Sequence, residues 1–155
     1  MPADVNVKAP DFELLSNKGE SVKLSEKIAQ GPVVLVFFPL AFTGVCTEEM
    51  CEIRDNFAAL SSLKAQVFAI SVDSRFSLNA FAEKHQLEFP LLSDFNKEVS
   101  KAYEAQYETF LGMHGVAKRS AFVVDTQGVI RYRWVSEDAK VKPDLAEIRQ
   151  ALGSL

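Results

Sequence analysis

The sequence predicts an α/β sandwich with a central mixed sheet, and three observations carry that prediction. Two β-branched and aromatic runs, residues 32–39 and 65–72, are apolar on both faces, as strands covered by helices on both sides must be. Helical patterns alternate with strand patterns through the middle of the chain, which makes neighbouring strands parallel. Late in the chain, Asp125-Thr126-Gln127-Gly128 separates two further strand candidates, residues 120–124 and 129–134, and so adds an antiparallel hairpin.

The elements follow in order. Lys8-Ala9-Pro10-Asp11 is an extended lead-in. Residues 12–15 and 21–24 form an N-terminal β-hairpin extension, with Asn17-Lys18-Gly19 as its turn. After the 32–39 strand a helix is expected from Gly44, Val45 or Cys46 onward, because Met50, Ile53, Phe57 and Leu60 recur at three- and four-residue spacing. Residues 77–85, with Leu78, Phe81 and Ala82, predict a second helix. A short strand at 89–92 and a short helix at 96–103 come next. The last helix is expected after Lys142, with Pro143 in its first turn and Leu145, Ile148 and Leu155 on one side. Residues 1–155 read as a single domain with the general plan of thioredoxin-like folds. In open α/β sheets, sites lie beyond the carboxyl ends of the strands, so the 39–46 loop is where a site is expected.

Composition narrows the function. The 155 residues are 48% hydrophobic and 25% charged, enough for a core that needs no disulfide or structural metal. A net charge of -4 argues against nucleic acid as partner, since phosphate recognition needs a basic face. No run approaches the roughly 18 apolar residues of a membrane span, and residues 1–15 show no secretory signal. The expected location is the cytoplasm, where a cysteine pair points to catalysis, redox chemistry or metal binding rather than to a structural bridge.

Both cysteines lie in Phe37-Phe38-Pro39-Leu40-Ala41-Phe42-Thr43-Gly44-Val45-Cys46-Thr47-Glu48-Glu49-Met50-Cys51. On a helical wheel Met50, Ile53, Phe57 and Leu60 fall within about 40° of Cys46, which places Cys46 inward and in the helix's first turn. Unpaired N–H groups and the positive end of the helix dipole favour a thiolate there. Glu48, Glu49 and Glu52 crowd the same turn and oppose it, so a cation must offset them. Cys51 lies about 140° around the wheel on the polar side. Residues five apart on an intact helix have Cα atoms roughly 8–9 Å apart, beyond disulfide reach, so bonding the two requires the helix to unwind. Ahead of Cys46, Pro39 stiffens the loop, Thr43 offers a hydroxyl that can donate or accept, and the N–H groups of Val45 and Cys46 open toward one point.

Pro39-x-x-x-Thr43-x-x-Cys46 resembles the active-site signature of peroxiredoxins, thiol peroxidases on a modified thioredoxin fold. The resemblance spans nearly the whole chain: Ala9-Pro10-Asp11-Phe12 is similar to the family's opening, and residues 33–39, Ile70-Ser71-Val72-Asp73, residues 89–94 and residues 119–125 resemble its later landmarks in order. It implies that Cys46 attacks a peroxide without any cofactor and becomes a sulfenic acid. It further implies that Thr43 hydrogen-bonds the peroxide, that Arg119 supplies the missing cation, and that Pro39 shields the site. Glu49 matches a glutamate that orients an arginine in two subgroups; a first-turn acid meeting the helix dipole is the other reading of it. The wording around Phe38-Pro39-Leu40-Ala41-Phe42-Thr43 is similar to the alkyl hydroperoxide reductase E type, often one-cysteine enzymes. The second cysteine five positions on is similar to the bacterioferritin-comigratory-protein type, where it resolves the sulfenic acid as a disulfide that thioredoxin reduces. The implied partners are a hydroperoxide and a thioredoxin-like or low-molecular-weight thiol. The implied assembly is a monomer, or a homodimer through the Phe42 region.

Rival readings are weaker. A protein disulfide oxidoreductase predicts Cys-x-x-Cys, whereas four residues separate these thiols. A module with inert thiols remains open at this level. A metal site built from Cys46, Cys51, His85 and His114 lacks paired histidine spacing. Arg131 and Arg133 share one face of a strand and are expected in solvent, with Trp134 turned to the core or an interface.

Overall fold

Proline at positions 32 and 39 brackets a run that has no polar side chain to offer water, and this run becomes an interior strand. In the computed structural model, which describes residues 3–155, strands β1 (Glu13–Ser16), β2 (Ser21–Lys23), β3 (Val33–Phe37), β4 (Gln66–Ser71), β5 (Leu91–Ser93), β6 (Ser120–Val124) and β7 (Ile130–Val135) form one mixed sheet. Their order is β2-β1-β5-β4-β3-β6-β7. β3 pairs parallel with β4, and β4 with β5; β6 runs antiparallel between β3 and β7, and β1 antiparallel to β5. The N-terminal hairpin thus extends the sheet at the β5 edge.

Helices α1 (Leu24–Lys27), α2 (Gly44–Asp55), α3 (Phe57–Ser62), α4 (Arg75–His85), α5 (Glu98–Ala102) and α6 (Leu145–Gly153) cover both faces. Because side chains alternate along a strand, Val34 and Val36 of β3, Val67 and Ala69 of β4 and Ala121 and Val123 of β6 face one way. They pack against Cys46, Met50 and Ile53 of α2, Leu78 and Phe81 of α4, and Ile148 of α6. The alternate set, including Leu35, Phe37, Ile70 and Phe122, packs against Phe12, Leu24, Val99 and Tyr103. Tyr103 meets Phe37 and Phe122 at ring separations of 5.4 and 5.2 Å, and its hydroxyl donates to the Pro10 carbonyl at 2.6 Å.

Several elements differ from the sequence expectation. The stripe Cys46-Met50-Ile53-Phe57-Leu60 is not one helix: Asn56, at φ −108° and ψ 8°, interrupts it between α2 and α3. The apolar phase continues across the break because Asn56 keeps near-helical bonds to Glu52 and Ile53. A one-turn helix at α1, followed by a 3-10 turn over Ile28–Gln30, was not anticipated, being shorter than any periodic pattern can reveal. Pro143 lies outside α6; Asp144 caps that helix by accepting from the Ala146 N–H. α4 starts two residues early, at Arg75, because Ser74 caps it from the Ser77 N–H. Trp134 is half-buried against the α2 side of the sheet, and Arg131 and Arg133 are exposed, as expected.

The entry to β3 is tight. Gly31 has φ +150°, and a Cβ there would lie 2.7 Å from the Lys64 carbonyl oxygen, a backbone atom that cannot step aside. Gly31→Ala is expected to destabilise the protein by about 1–3 kcal/mol, read as a lowered denaturant midpoint with unchanged slope.

Candidate active site

The register of β6 against β3 builds the site. Phe37 pairs with Ser120, so the start of β6 lies beside the end of β3, where the loop to α2 departs. Arg119 shares its phase with Ala121 and Val123 and therefore projects to the α2 side of the sheet. Cys46 waits on that side, in the first turn of α2. The first bond into the helix runs from the Thr47 N–H to the Thr43 carbonyl at 2.9 Å, so the N–H groups of Gly44, Val45 and Cys46 precede the ladder.

Arg119 divides its guanidinium among three acceptors. Nη2 donates to Cys46 Sγ at 3.1 Å, Nη1 to Glu49 Oε1 at 2.6 Å, and Nε to the Ala139 carbonyl at 2.7 Å. Arg119, Glu49 and Cys46 are 2%, 1% and 0% exposed. Burial works against the charge on Arg119, but Glu49 and the sulfur outweigh it and hold its proton above the ordinary value. Glu49 fares differently. Burial pushes its carboxyl up to about 7, against the pull of Arg119, and Glu49 Oε2 has no hydrogen-bond partner among the described residues. One positive charge thus faces two acids, and ionisation of both would leave a net negative charge out of water.

This corrects the first-turn picture of the acids. Glu48, Glu49 and Glu52 follow the first turn of α2, which contains no acidic residue. Glu49 does not meet the helix dipole; it faces Arg119. Glu52 pairs with Lys142 at 2.6 Å across the surface, and Glu48 is exposed. The cation in contact with Cys46 is Arg119.

The loop ahead of α2 is held from the other flank. Pro39 is buried. The Thr43 hydroxyl donates to the Leu40 carbonyl at 2.8 Å, and the Ala41 N–H donates to Asp73 Oδ2 at 2.8 Å. Phe42, half exposed, has φ +69° and sets its ring against Phe81 at 5.1 Å. Asp73 was legible only as part of a landmark; an acid just past the end of the strand parallel to β3 was the available signal. Nothing in the sequence pointed to the Ala139 carbonyl, which a loop brings in.

Cys51 is half-buried and both thiols are free. α2 is unbroken between them. His85 closes α4 with its ring 5.1 Å from Phe81, and His114 is exposed with Nδ1 3.2 Å from the Glu108 carbonyl. Neither histidine joins the cysteines, and among the described residues no group of three His, Cys, Asp or Glu side chains is placed to hold a metal ion. Among them, too, no helix is long and apolar enough to cross a membrane.

A buried thiol held by an arginine at a helix opening, on this sheet, defines a class of thiol enzyme, and comparison with known proteins agrees. Residues 5–133 match the AhpC/TSA family. The chain is 34% identical to peroxiredoxin Bcp of Bacillus subtilis over 154 residues, covering 98% of this chain and 96% of that protein. It is 36% identical over 141 residues to alkyl hydroperoxide reductase E of Mycobacterium tuberculosis, covering 90% of each. The crystal structure of peroxidoxin BcpB from Mycobacterium tuberculosis matches with a TM-score of 0.87 at 30% identity, covering 97% of each chain. The chain belongs to the AhpC/TSA family: it is a peroxiredoxin, a thiol peroxidase between the alkyl hydroperoxide reductase E and Bcp types.

The Glu49 carboxyl sets a pH dependence. Its folded value of about 7 lies above the ordinary 4.5, so the folded state binds this proton more tightly than the unfolded chain does. The stability it contributes is whole below about pH 4.5 and is lost as pH rises through about 7. Glu49→Gln is expected to flatten that decline, measured as unfolding free energy at several pH values across the window.

Proposed function

We propose that Cys46 is the peroxidatic nucleophile, that Arg119 and Thr43 stabilise the transition state, and that Cys51 resolves the product as an intramolecular disulfide. The observation that carries this reading is the 3.1 Å contact from Arg119 Nη2 to Cys46 Sγ at the opening of α2. A guanidinium is always charged and presents several donors, so it can hold an anionic sulfur and an incoming oxygen together. The sulfur attacks the terminal peroxide oxygen. The S–O bond forms as the O–O bond breaks, the leaving hydroxide or alkoxide takes a proton from solvent, and Cys46 becomes a sulfenic acid. The N–H groups of Val45 and Cys46 and the charge on Arg119 stabilise the negative charge that develops. Pro39 offers no N–H and keeps that part of the loop dry. Glu49 orients Arg119.

In the second half, the Cys51 thiolate attacks the sulfur of the sulfenic acid; the S–S bond forms as the S–O bond breaks, and the departing hydroxide takes a proton from solvent to leave as water. Two thiols from a thioredoxin-like protein or a small molecule then reduce the disulfide. The substrates are hydrogen peroxide and small organic hydroperoxides, in keeping with the name of the alkyl hydroperoxide reductase E relative. The setting is the cytoplasm, as a monomer or a homodimer through the Phe42 loop. The alternative for the second half is a one-cysteine cycle closed by an external thiol, which the unbroken helix between Cys46 and Cys51 favours until that helix opens.

Intact mass after one equivalent of hydrogen peroxide separates the two cycles. A loss of about 2 Da marks the disulfide and a gain of about 16 Da marks a persistent sulfenic acid. The disulfide is expected in the wild type, a single stoichiometric turnover in Cys51→Ser, and no turnover in Cys46→Ser. Thiol-dependent turnover by Cys46→Ser would overturn the assignment.

The disulfide also requires the 46–51 segment to leave its helical form, since roughly 8–9 Å separates Cα atoms five apart on a helix. Glu49 and Met50 lie in that segment, so closing the bridge removes Glu49 from Arg119. Amide exchange is expected to show lost protection across residues 46–51 in the oxidised protein. Unchanged protection in a protein proven to hold the disulfide would refute this.

A further inference from the structure

We infer that Asp73 is a positioning residue for the peroxide reaction: through the Leu40–Ala41 peptide it holds the Thr43 hydroxyl as an acceptor aimed at the hydroperoxide. The inference rests on Cys46 and Thr43 acting as proposed above, and it assigns work to a residue on the opposite flank of the loop from Arg119.

The placement follows from the sheet. Phe37 of β3 pairs in parallel with Ile70 of β4, so the residues just past β4 run beside the loop that leaves β3. Asp73 is fixed there. Its Oδ2 accepts from the Ser71 hydroxyl at 2.6 Å as well as from the Ala41 N–H at 2.8 Å. Its own N–H donates to Ser71 Oγ at 3.2 Å, and its carbonyl accepts from the Ser93 hydroxyl of β5 at 2.6 Å. Ser71 is fully buried. Held to β4 through its carboxylate and to β5 through its own carbonyl, Asp73 makes a rigid point of attachment.

The Ala41 N–H and the Leu40 C=O belong to one planar peptide and point in opposite directions. Fixing the N–H with Asp73 therefore fixes the direction of the carbonyl, and that carbonyl accepts from Thr43 Oγ1 at 2.8 Å. A carbonyl can only accept, so the hydroxyl must donate, and a threonine hydroxyl has a single proton. Only its lone pairs remain for another partner. The charge on Asp73 polarises the peptide and strengthens the carbonyl as an acceptor, which holds the rotor more firmly.

That polarity suits the reaction. The oxygen attacked carries a proton, the only one of the O–O group in an organic hydroperoxide and one of two in hydrogen peroxide, and it keeps that proton in Cys46–S–O–H. Thr43 Oγ1 can accept from it and so orient the O–O bond, while Arg119 faces the departing oxygen. A threonine free to donate would serve the wrong end. The loop also needs an anchor for its own sake. Phe42 holds φ +69°, a conformation that a bulky residue keeps only where its surroundings over-determine it.

The test compares two reactions of the same sulfur in the full-length protein. One is the second-order reaction with hydrogen peroxide; the other is alkylation by iodoacetamide, which donates no hydrogen bond to Thr43 in its reaction with the sulfur. Asp73→Ala is expected to slow the peroxide reaction about tenfold, the scale of one lost hydrogen bond, and to leave alkylation within about threefold. Asp73→Asn keeps an acceptor for the Ala41 N–H and is expected to recover most of the loss. Thr43→Val slows the peroxide reaction on its own, and adding Asp73→Ala to it costs nothing more, because both changes remove one device. Should Asp73→Ala fail to fold, Ser71→Ala loosens the same carboxylate oxygen and is expected to show a smaller loss, again confined to peroxide and absent from the Thr43→Val background. Equal slowing of both reactions, an unchanged peroxide rate, or losses that multiply in the double variant would overturn the inference. If the wild type shows no Cys46-dependent peroxide reaction, the parent reading falls with it; if that reaction is intact and indifferent to residue 73, only this inference falls.

Discussion

A single buried guanidinium governs this structure. Taking a charge out of water is costly unless its donors are met, and Arg119 meets them with a sulfur, a carboxylate and a carbonyl supplied by α2 and the loop after β7. Lysine could not stand in, because a compact ammonium lacks the planar fork that reaches three acceptors along its edges. The consequence is a shared charge. Glu49 and Cys46 depend on the same cation, and the more fully one is ionised, the less of that cation's field is left for the other. Glu49 with its proton leaves the guanidinium to the sulfur. The carboxyl raised to about 7 and the lone Oε2 both mark this as a contested arrangement rather than a simple ion pair.

The sheet order makes the arrangement possible. β3 lies between a parallel neighbour and an antiparallel one. Its carboxyl end therefore meets the carboxyl end of β4 on one flank and the start of β6 on the other. Asp73 follows the first and Arg119 precedes the second. An acid and a base thus grip the loop between β3 and α2 from two sides, the acid through backbone and the base through the sulfur. An all-parallel sheet would have placed the start of β6 at the opposite end, some five residues away from the thiol.

Much of this was readable from residue order. The double-faced runs gave the interior strands, and the wheel placed Cys46 inward and Cys51 on the polar side, where the structure has them buried and half-buried. Arg119 came from resemblance rather than from periodicity, since nothing local joins residues 46 and 119. What escaped the sequence was decided by tertiary partners. The interruption at Asn56 keeps the apolar phase of α2 and α3 and so leaves no trace in the pattern. Pro143 looks like a first-turn residue, yet Asp144 supplies a side-chain cap one position later and sets the start of α6. Glu49 lies nearer the apolar stripe of the wheel than Glu48 and Glu52 do, but the cation it faces comes from the residue just before β6, seventy positions away, which no local pattern reveals. The role inferred for Asp73 depends on a peptide plane, which residue identity alone does not orient.

The joint at Asn56 divides labour along what would otherwise be one rod. Helix formation is cooperative, so a continuous helix that frays at one end tends to pass the damage along. Here α2 ends at Asp55, and α3 is anchored separately through Leu60 in the core. Rearrangement near Cys46 can therefore stop at the joint. Should the 46–51 segment open as proposed, α3 stays anchored through Leu60 while the edge near Cys46 changes shape, so that opening does not require the rest of the protein to melt.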